Sequence, residues 1–534
     1  MFIREKKTGR YSYLQIVENH REKLKVVQRV IATLGRKDQL SEKGTIDGLI
    51  QSLARHARQV EIVNRQRNGQ LEAGSTRSVG PDLVFGRLWK ELGLKEILDD
   101  LLEGRKFEFA VERAIYMTVL HRLFESGSDR AADKWKRDVC VPGDEDLSLH
   151  HLYRAMGFLG ENKDKVEKKL FAKTRDLFTN LSLAFFDTTS IYFEGRGGES
   201  LGQYGHSKDH RPDLKQLVMG VVLTGEGRPI CCEVWPGNTA DVKTLLKVVD
   251  RVRERFSIQS VCWVADRGMV SDETIRGIEE RGLTFILGAR MRRQKEVTEE
   301  VLARGGRYEE VEKNLRVKEV QVKGRRYVVC HNPQEAERDA ADREAILESL
   351  QARLRSGASS LIGNKGYRRY LKVNKESVVI DQKKIKEEAR FDGKFVLRTN
   401  TDLPASEVAV QYKRLLMVET FFRAIKSLLD TRPIYHHYDA TITGHVFCSF
   451  LALVLLDELK RRLDQKDHKM EWLDMKRDLL ALTEIEVRDG DSWYLLRSVL
   501  PGCAGKLLLA AGVAPPPPVK PLAKPKLENV VPRP

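Results

Sequence analysis

The chain has 534 residues, and its 93 lysines and arginines exceed its 77 aspartates and glutamates, which gives a formal net charge of +16. A hydrophobic fraction of 41% and a charged fraction of 32% exclude wholesale disorder and a membrane-embedded bundle, and the length predicts several domains. The seven cysteines form no C-x-x-C pair, which argues against a disulfide framework and a cysteine zinc site. The basic surplus favours a polyanionic partner, above all nucleic acid.

The first 180 residues contain two different patterns. Short alternating runs, with turn residues near Gly9 and Asn19, predict a three-stranded antiparallel meander over residues 1–40. From residue 41 to residue 180 the apolar period becomes that of amphipathic helices, and lysines are dense over 163–173. This region is interpreted as a basic helical domain of helix-turn-helix type, although a solvated helical bundle fits the same pattern.

A mixed α/β pattern begins at residue 181. Apolar strands are predicted to end at Asp187 and at Asp266, with a strand hairpin and a helix over 241–256 between them. The resulting order β-β-β-α-β-α-β over residues 181–290 predicts a mixed sheet with helices packed against it.

The remainder of the chain is more varied. Residues 291–400 mix strand-like pieces with charged helices, and long helices are predicted over 407–429 and 444–462. Residues 466–512 have a helix and strand pattern. The proline- and lysine-rich tail, 513–534, is predicted to be disordered.

Asp187 and Asp266 are the first candidates for chemistry. Catalytic and ligand groups of α/β sheets collect where strands end. Two carboxylates from neighbouring strands repel each other unless a cation lies between them, and hard oxygen ligands select Mg²⁺ or Mn²⁺. Taken singly, each aspartate also fits a turn former or a helix cap.

A second candidate group lies in the predicted helix 407–429. Tyr412, Glu419 and Lys426 are spaced seven residues apart, which is close to two helical turns, so they share one stripe. Apolar residues cover most of the remaining circumference. A charged pair on such a helix needs a partner or a polar crevice, unless the stripe is only an exposed edge.

Several ordered blocks of sequence resemble one known family. The blocks are Phe186-Asp187-Thr188-Thr189, residues 205–213, Pro236-Gly237-Asn238-Thr239-Ala240-Asp241, Ala265-Asp266-Arg267-Gly268-Met269, residues 364–370, and residues 432–436 ahead of 444–446. Residues 180–465 thereby resemble the bacterial insertion-sequence DDE transposases. They are most similar to the branch whose third block is a Tyr-Arg-Glu-Lys pattern within one helix (the IS-four-like superfamily).

The resemblance implies a domain organisation. It implies an RNase H-like core built from residues 181–290 and 401–465, with residues 291–400 as an inserted mixed α+β domain. It further implies that the helical domain 41–180 binds DNA ends and that residues 466–512 are a candidate dimerisation region. The N-terminal meander, residues 1–40, precedes the helical domain and the core.

The resemblance also implies an active site. Asp187, Asp266 and Glu419 would hold two Mg²⁺ or Mn²⁺ ions, and Tyr412 and Lys426 would hold the phosphate beside the cut. The arginine position of the family is Leu415 here, so either Arg414 or Arg423 would take its role. Further expected DNA contacts are Lys208, His210, Arg211, Arg368 and Arg369.

The function implied by the resemblance is DNA transposition. The chain would cut double-stranded DNA at terminal inverted repeats and join the freed 3′-OH to target DNA. It would act as a homodimer in the bacterial cytoplasm, on the nucleoid and not at a membrane. Two other functions fit the same acids or the same basic helices: a metal-dependent RNase H-like nuclease without strand transfer, and a non-catalytic DNA-binding derivative of a transposase.

Overall fold

The computed structural model describes residues 1–22, 25–42, 45–54, 56, 65–174, 182–257, 261–356, 370–373 and 378–522. The chain divides into two compact units. One unit comprises Met1–Arg77, Leu482–Val499 and Pro516–Pro534, and the other comprises Ser78–Ala481 and Leu500–Pro515.

The smaller unit contains two antiparallel sheets. The first sheet has three strands in sequence order, and the helices Lys37–Glu42 and Thr45–Ala54 follow it. Its strands are Phe2–Thr8, Tyr11–Glu22 and Lys25–Arg36. The strands of the second sheet, in spatial order, are Val519–Leu522, Ser492–Arg497, Thr483–Asp489 and Leu71–Ser78.

The strand Val519–Leu522 differs from the prediction of a disordered tail beginning at residue 513. It pairs antiparallel with Ser492–Arg497 as the edge strand of its sheet. An edge strand tolerates proline because one side of its backbone needs no partner, so the composition of this tail did not exclude pairing.

The larger unit begins with a layer of helices around one long, buried helix. That helix is Asp439–Asp464, and 78% of its most apolar window is buried inside the protein, as expected of a core helix that is also long and apolar enough to cross a membrane. Gly160 and Gly444 are close-packed, because a Cβ at either one would collide with the backbone of the opposite helix. The other helices of this layer are Gly80–Glu91, Leu94–Leu102, Val111–Phe124, Asp129–Trp135, Leu149–Glu161, Lys163–Thr174, Trp472–Ala481 and Ala504–Ala510.

The second part of this unit is a nine-stranded mixed sheet, which confirms the predicted mixed α/β class. Its strands, numbered in chain order, are β1 Leu183–Tyr192, β2 Gln216–Thr224, β3 Pro229–Pro236, β4 Cys262–Ala265, β5 Thr284–Gly288, β6 Glu309–Glu312, β7 Leu315–Val322, β8 Arg325–His331 and β9 Lys394–Thr399. Their spatial order is β6-β7-β8-β9-β5-β4-β1-β2-β3. The pairs β1–β4 and β4–β5 are parallel, and the other pairs are antiparallel.

The sheet extends into the segment that the sequence analysis assigns to an inserted domain. Strands β6 to β9 all lie within residues 291–400, and β9 pairs directly with β5. The same segment also holds a π-helix, Glu296–Val301, the helices Pro333–Ser356 and Gln382–Ala389, and the short hairpin Leu371–Val373 with Val378–Ile380.

Apolar packing holds two helices against the strands that carry the first two aspartates. Leu245–Phe256 and Asp272–Glu280 bury their apolar sides in one cluster with Phe186, Trp263 and Ala265. Side chains alternate along a strand, so the residues next to Phe186 and Ala265 point away from this cluster.

The predicted continuous helix over 407–429 is wrong. The structure contains two α-helices, Ala405–Lys413 and Leu416–Arg423, followed by a π-helix, Ala424–Leu428. Arg414 and Leu415, between the two α-helices, have ψ angles of −13° and −25°, which is the tighter winding of a 3₁₀ turn. A seven-residue spacing across this break no longer defines one uniform face.

Candidate active site

Asp187 and Asp266 lie side by side on two parallel strands. The last hydrogen-bonded pair between β1 and β4 is Phe186 with Ala265, and each aspartate is the next residue. Asp266 remains extended, with φ −73° and ψ 159°. Asp187 was predicted to end its strand, but β1 continues to Tyr192 because it pairs with β2. It therefore lies mid-strand, beside the point where β4 ends.

The Asp187 carboxylate is mostly enclosed. Its side chain is 19% exposed, and Oδ1 accepts a hydrogen bond of 2.6 Å from the Thr188 amide. Burial raises the pKa of Asp187 to about 6, against the opposing effects of the Lys208 ammonium and the Thr188 amide. The neighbouring carboxylates of Asp266 and Asp241 raise this pKa further. Three negative groups therefore share one crevice.

Asp241 is the carboxylate that the sequence analysis did not assign. It begins the 3₁₀ helix Asp241–Lys243, and its Oδ1 accepts a hydrogen bond of 2.8 Å from the Thr188 hydroxyl. The sequence signal for a role in the site was its position at the end of the Pro236–Asp241 block, one of the blocks that resemble the family. That residue was interpreted as the start of a helix, since acids are common there.

The Lys208 ammonium lies among oxygen atoms of this group. Nζ is 2.7 Å from the Thr188 carbonyl oxygen and 3.0 Å from its hydroxyl oxygen. It is also 3.2 Å from Asp241 Oδ2 and 3.9 Å from Asp187 Oδ1. Lys208 was predicted to contact the DNA backbone, and the structure places its charge against the acids.

Tyr412 contacts one of the two aspartates, and Lys426 contacts the residue that follows Lys208. The Tyr412 hydroxyl donates a hydrogen bond of 2.9 Å to Asp266 Oδ1, and burial raises the pKa of this phenol, as does the adjacent Asp266. Lys426 Nζ donates to Asp209 Oδ1 over 2.8 Å, and Arg432 Nη1 lies 2.5 Å from the same oxygen. Asp209 directly follows Lys208.

Glu419 is not in contact with the two aspartates. It is exposed and has no hydrogen bond or ion pair within the part of the chain that the structure describes. The structure therefore brings together Asp187, Asp266 and Tyr412, while the assignment of Glu419 stays a prediction.

Of the other predicted DNA contacts that the structure describes, Arg414, Arg423, His210 and Arg211 lie at exposed positions. Arg414 Nη1 lies 3.3 Å from Gln411 Oε1, Arg423 is exposed, and Leu415 between them is 6% exposed. His210 is exposed with a φ of +58°, and Arg211 forms an ion pair of 2.8 Å with Asp213. Arg368 and Arg369 lie outside the described residues.

The crevice suits a divalent cation. Its donor atoms are carboxylate oxygens, which Mg²⁺ and Mn²⁺ prefer, and the Lys208 ammonium already occupies a position among them as a cation. Gly268 borders the crevice, because a Cβ there would lie 3.9 Å from Asp266 Oδ2 and 4.0 Å from Asp241 Oδ2, so both carboxylates flank the same point.

A second acidic group does not fit an ion. Ligand oxygens of Asp164, Glu167 and Glu233 lie within 4.8 Å of one another. Two cations already fill the group: Lys163 Nζ is 3.0 Å from Glu167, and Arg255 contacts all three acids at 2.5 to 3.1 Å. This is an internal ion-pair network, in which buried charges compensate one another.

The chain is similar to known transposases. The family described as the transposase DDE domain matches residues 180–455, and the N-terminal domain of IS1634 family transposases matches residues 3–67. A solved structure of the piggyBac transposase synaptic complex with hairpin DNA is 12% identical, with a TM-score of 0.37 over 75% of this chain and 78% of that chain. The Mos1 transposase paired-end complex with left transposon end is 14% identical, with a TM-score of 0.15 over 36% of this chain and 57% of that chain. No curated protein matches the chain.

Proposed function

The chain belongs to the insertion-sequence transposases with a DDE domain, and from this premise we propose that it cuts DNA at the ends of an insertion sequence and joins the freed 3′-OH to target DNA. The observation that carries the proposal is the placement of Asp187 and Asp266 on adjacent parallel strands, in one crevice. The segment that follows, 405–428, supplies Tyr412 to that crevice, which supports assigning the chain to the Tyr-Arg-Glu-Lys branch and its core to the RNase H-like fold.

Two Mg²⁺ or Mn²⁺ ions would be held by Asp187, Asp266 and Glu419. When bound, such ions would activate the attacking oxygen and neutralise the charge that develops on the leaving oxygen. Support for Glu419 comes from the segment that carries it, because Tyr412 ahead of it contacts Asp266 and Lys426 after it contacts Asp209 beside Lys208.

The remaining residues orient the acids and hold the DNA. Tyr412 directs Asp266 through its hydroxyl, which donates the hydrogen bond as a neutral phenol. Lys426 would hold the phosphate next to the cut. The arginine role of the branch falls to Arg414 or Arg423, both of which are exposed. Cleavage assays of Arg414→Ala and Arg423→Ala side by side identify which of them acts.

Double-stranded DNA is the proposed partner. The net charge of +16 and the exposed basic residues predict binding through phosphate neutralisation, with an affinity that falls steeply as salt rises. Arg211, His210, Arg368 and Arg369 are the proposed backbone contacts. Coordinated cutting of two ends favours a homodimer, with 466–512 as its candidate contact, acting in the bacterial cytoplasm on the nucleoid.

The test uses a plasmid carrying the inverted repeats that flank the reading frame. Asp187→Asn, Asp266→Asn and Glu419→Gln are each expected to lower strand cleavage by ~10³-fold or more, because each removes a charged ligand, while end binding in a gel-shift assay is retained. Glu280→Gln, an exposed acid on the Asp272–Glu280 helix, is the matched control. Unchanged cleavage in one of the three variants removes that residue from the triad.

Strand transfer separates the proposed function from its two rivals. Cleavage without joining of the 3′-OH to target DNA identifies a nuclease. End binding without cleavage in either Mg²⁺ or Mn²⁺ identifies a non-catalytic derivative.

A further inference from the structure

We propose that Asp241 is a further ligand of the metal ions at this site and that the Lys208 ammonium occupies part of the ion's space until an ion displaces it. This inference rests on the proposed function, since it concerns the same crevice as Asp187 and Asp266. It adds a fourth carboxylate and a competing internal cation, neither of which the DDE triad contains.

The first support is the coordination of the lysine. Its Nζ contacts four oxygen atoms, two from Thr188 and one each from Asp241 and Asp187, at distances of 2.7 to 3.9 Å. Carbonyl, hydroxyl and carboxylate oxygens around a positive charge are the donor types that bind hard divalent cations. An ammonium group has only three donors, so it satisfies this set incompletely.

The second support is the rigid placement of Asp241. Its Oδ1 is fixed by the Thr188 hydroxyl, which leaves Oδ2 directed toward Lys208. Asp241 Oδ2 and Asp266 Oδ2 flank one point beside Gly268, since a Cβ built there would lie 4.0 Å and 3.9 Å from them. The Oδ2 atoms of Asp241 and Asp266 are thus both available to one ion at this point.

The third support is the charge balance, which differs from that of the other acidic group. Three carboxylates (Asp187, Asp241 and Asp266) lie close together, and the Lys208 ammonium is within 4 Å of two of them, Asp187 and Asp241, so negative charge remains for an ion to neutralise. Lys208 is 32% exposed, and its flexible stem can move the charge into solvent. In the Asp164 group, by contrast, Lys163 and Arg255 are 8% and 9% exposed and cannot leave.

Metal binding by the full chain without DNA tests the proposal. Titration calorimetry with MgCl₂ and MnCl₂ gives the affinity directly and does not depend on cleavage. Asp241→Asn is expected to bind at least ~10-fold more weakly, since loss of a group that only orients a ligand already costs this much. Lys208→Met is expected to bind several-fold more tightly, because the competing charge is gone. Lys243→Met, an exposed lysine two residues after Asp241, is expected to bind like the wild type.

A folding defect is separable from loss of a ligand. Circular dichroism and the melting temperature of each variant are measured alongside, and Asp241→Glu, which keeps the carboxylate, is expected to retain more affinity than Asp241→Asn. Wild-type affinity in Asp241→Asn overturns the ligand role of Asp241. Unchanged or weaker affinity in Lys208→Met overturns the competition.

The same titrations show which proposal has failed. If Asp187→Asn and Asp266→Asn also bind metal like the wild type, the metal site itself is refuted, and the proposed function with it. If those two variants lose affinity while the Asp241 and Lys208 variants do not change, only the further inference is refuted.

Discussion

The Tyr412 hydroxyl lies 2.9 Å from Asp266 Oδ1, so a residue of the Ala405–Lys413 helix holds the carboxylate that follows β4. Two segments separated by 146 positions in the sequence meet in this one hydrogen bond. The orientation of Asp266 therefore depends on how the helix is seated on the sheet as well as on its own strand.

Removing the Tyr412 hydroxyl is expected to slow strand cleavage. Tyr412→Phe keeps the ring and removes the donor to Asp266 Oδ1, so cleavage should fall by ~10- to 100-fold, the usual effect of losing a group that orients a ligand. End binding in a gel-shift assay should stay within about twofold, because a neutral phenol adds little to phosphate binding. Tyr435→Phe, whose exposed hydroxyl contacts Glu194, is the control. Equal cleavage by both variants would remove Tyr412 from this role.

Gly288 provides an independent test of the same contact. A Cβ at this position would lie 2.5 Å from the Tyr412 hydroxyl and 2.9 Å from the Arg267 amide nitrogen. Gly288→Ala should therefore displace the tyrosine and lower the free energy of unfolding by about 1–3 kcal/mol, the usual cost of overpacking. In the Tyr412→Phe background the cost should be smaller, because one colliding atom is absent. Urea unfolding of the two single variants and the double variant measures the coupling, and strict additivity would contradict the prediction.

The raised pKa of Asp187 predicts a stability that depends on pH. Below its ordinary pKa of 3.8 the carboxyl is neutral in both the folded and the unfolded chain, and above its folded value of about 6 it is ionised in both, so the cost of burying the charge is complete only above pH 6. Asp187→Asn should thus stabilise the metal-free protein at pH 7.5 by on the order of 1–3 kcal/mol and have little effect at pH 4.

Urea unfolding in EDTA at both pH values measures this difference. Glu280→Gln, which alters an exposed acid, should show no such dependence on pH. If Asp187→Asn raised the free energy of unfolding equally at pH 4 and pH 7.5, removal of the charge would not be the cause of the added stability.

The ion-pair network around Glu167 is expected to be a stability element only. Lys163→Met leaves a fully buried carboxylate with one partner fewer, since Lys163 Nζ is 3.0 Å from Glu167 Oε2. Unpairing a buried charge typically costs about 3–5 kcal/mol, which thermal and urea unfolding would detect. Lys165→Met, at an exposed position two residues later, should have almost no effect. Metal affinity should be unaltered in both. A gain in metal affinity in Lys163→Met alone, where a competing ammonium has been removed, would identify a metal role for this network.

The sequence was sufficient to predict features that depend on local pattern. The strands around Asp187 and Asp266 follow from their apolar runs, and the hairpin between β2 and β3 follows from its turn residues. The pairing of β1 with β4 does not follow from this pattern, because two further strands and a helix separate them in the chain.

Features that depend on distant contacts were not predictable. The break at Arg414 and Leu415 lies inside an unbroken apolar period, so no local signal marks it. Asp241 enters the crevice through a side-chain contact with Thr188, 53 residues earlier, and its position at the start of a helix hid that role. The pairing of β9 with β5 joins strands more than a hundred residues apart, which apolar pattern alone does not specify.

The pairing of β1 with β4 fixes the positions of Asp187 and Asp266 through the backbone register, so the lengths of these strands matter more than which apolar residues they contain. Because backbone hydrogen bonds align Phe186 with Ala265, apolar replacements of similar size in either strand leave both carboxylates where they are. Deleting or inserting one residue ahead of Asp187 or Asp266 would instead turn that carboxylate to the opposite side of the sheet, among the apolar side chains of Val248, Val252 and Ile275. In relatives that retain the chemistry, the apolar residues of these two strands should therefore vary freely. The number of residues between the start of each strand and its aspartate should hardly vary.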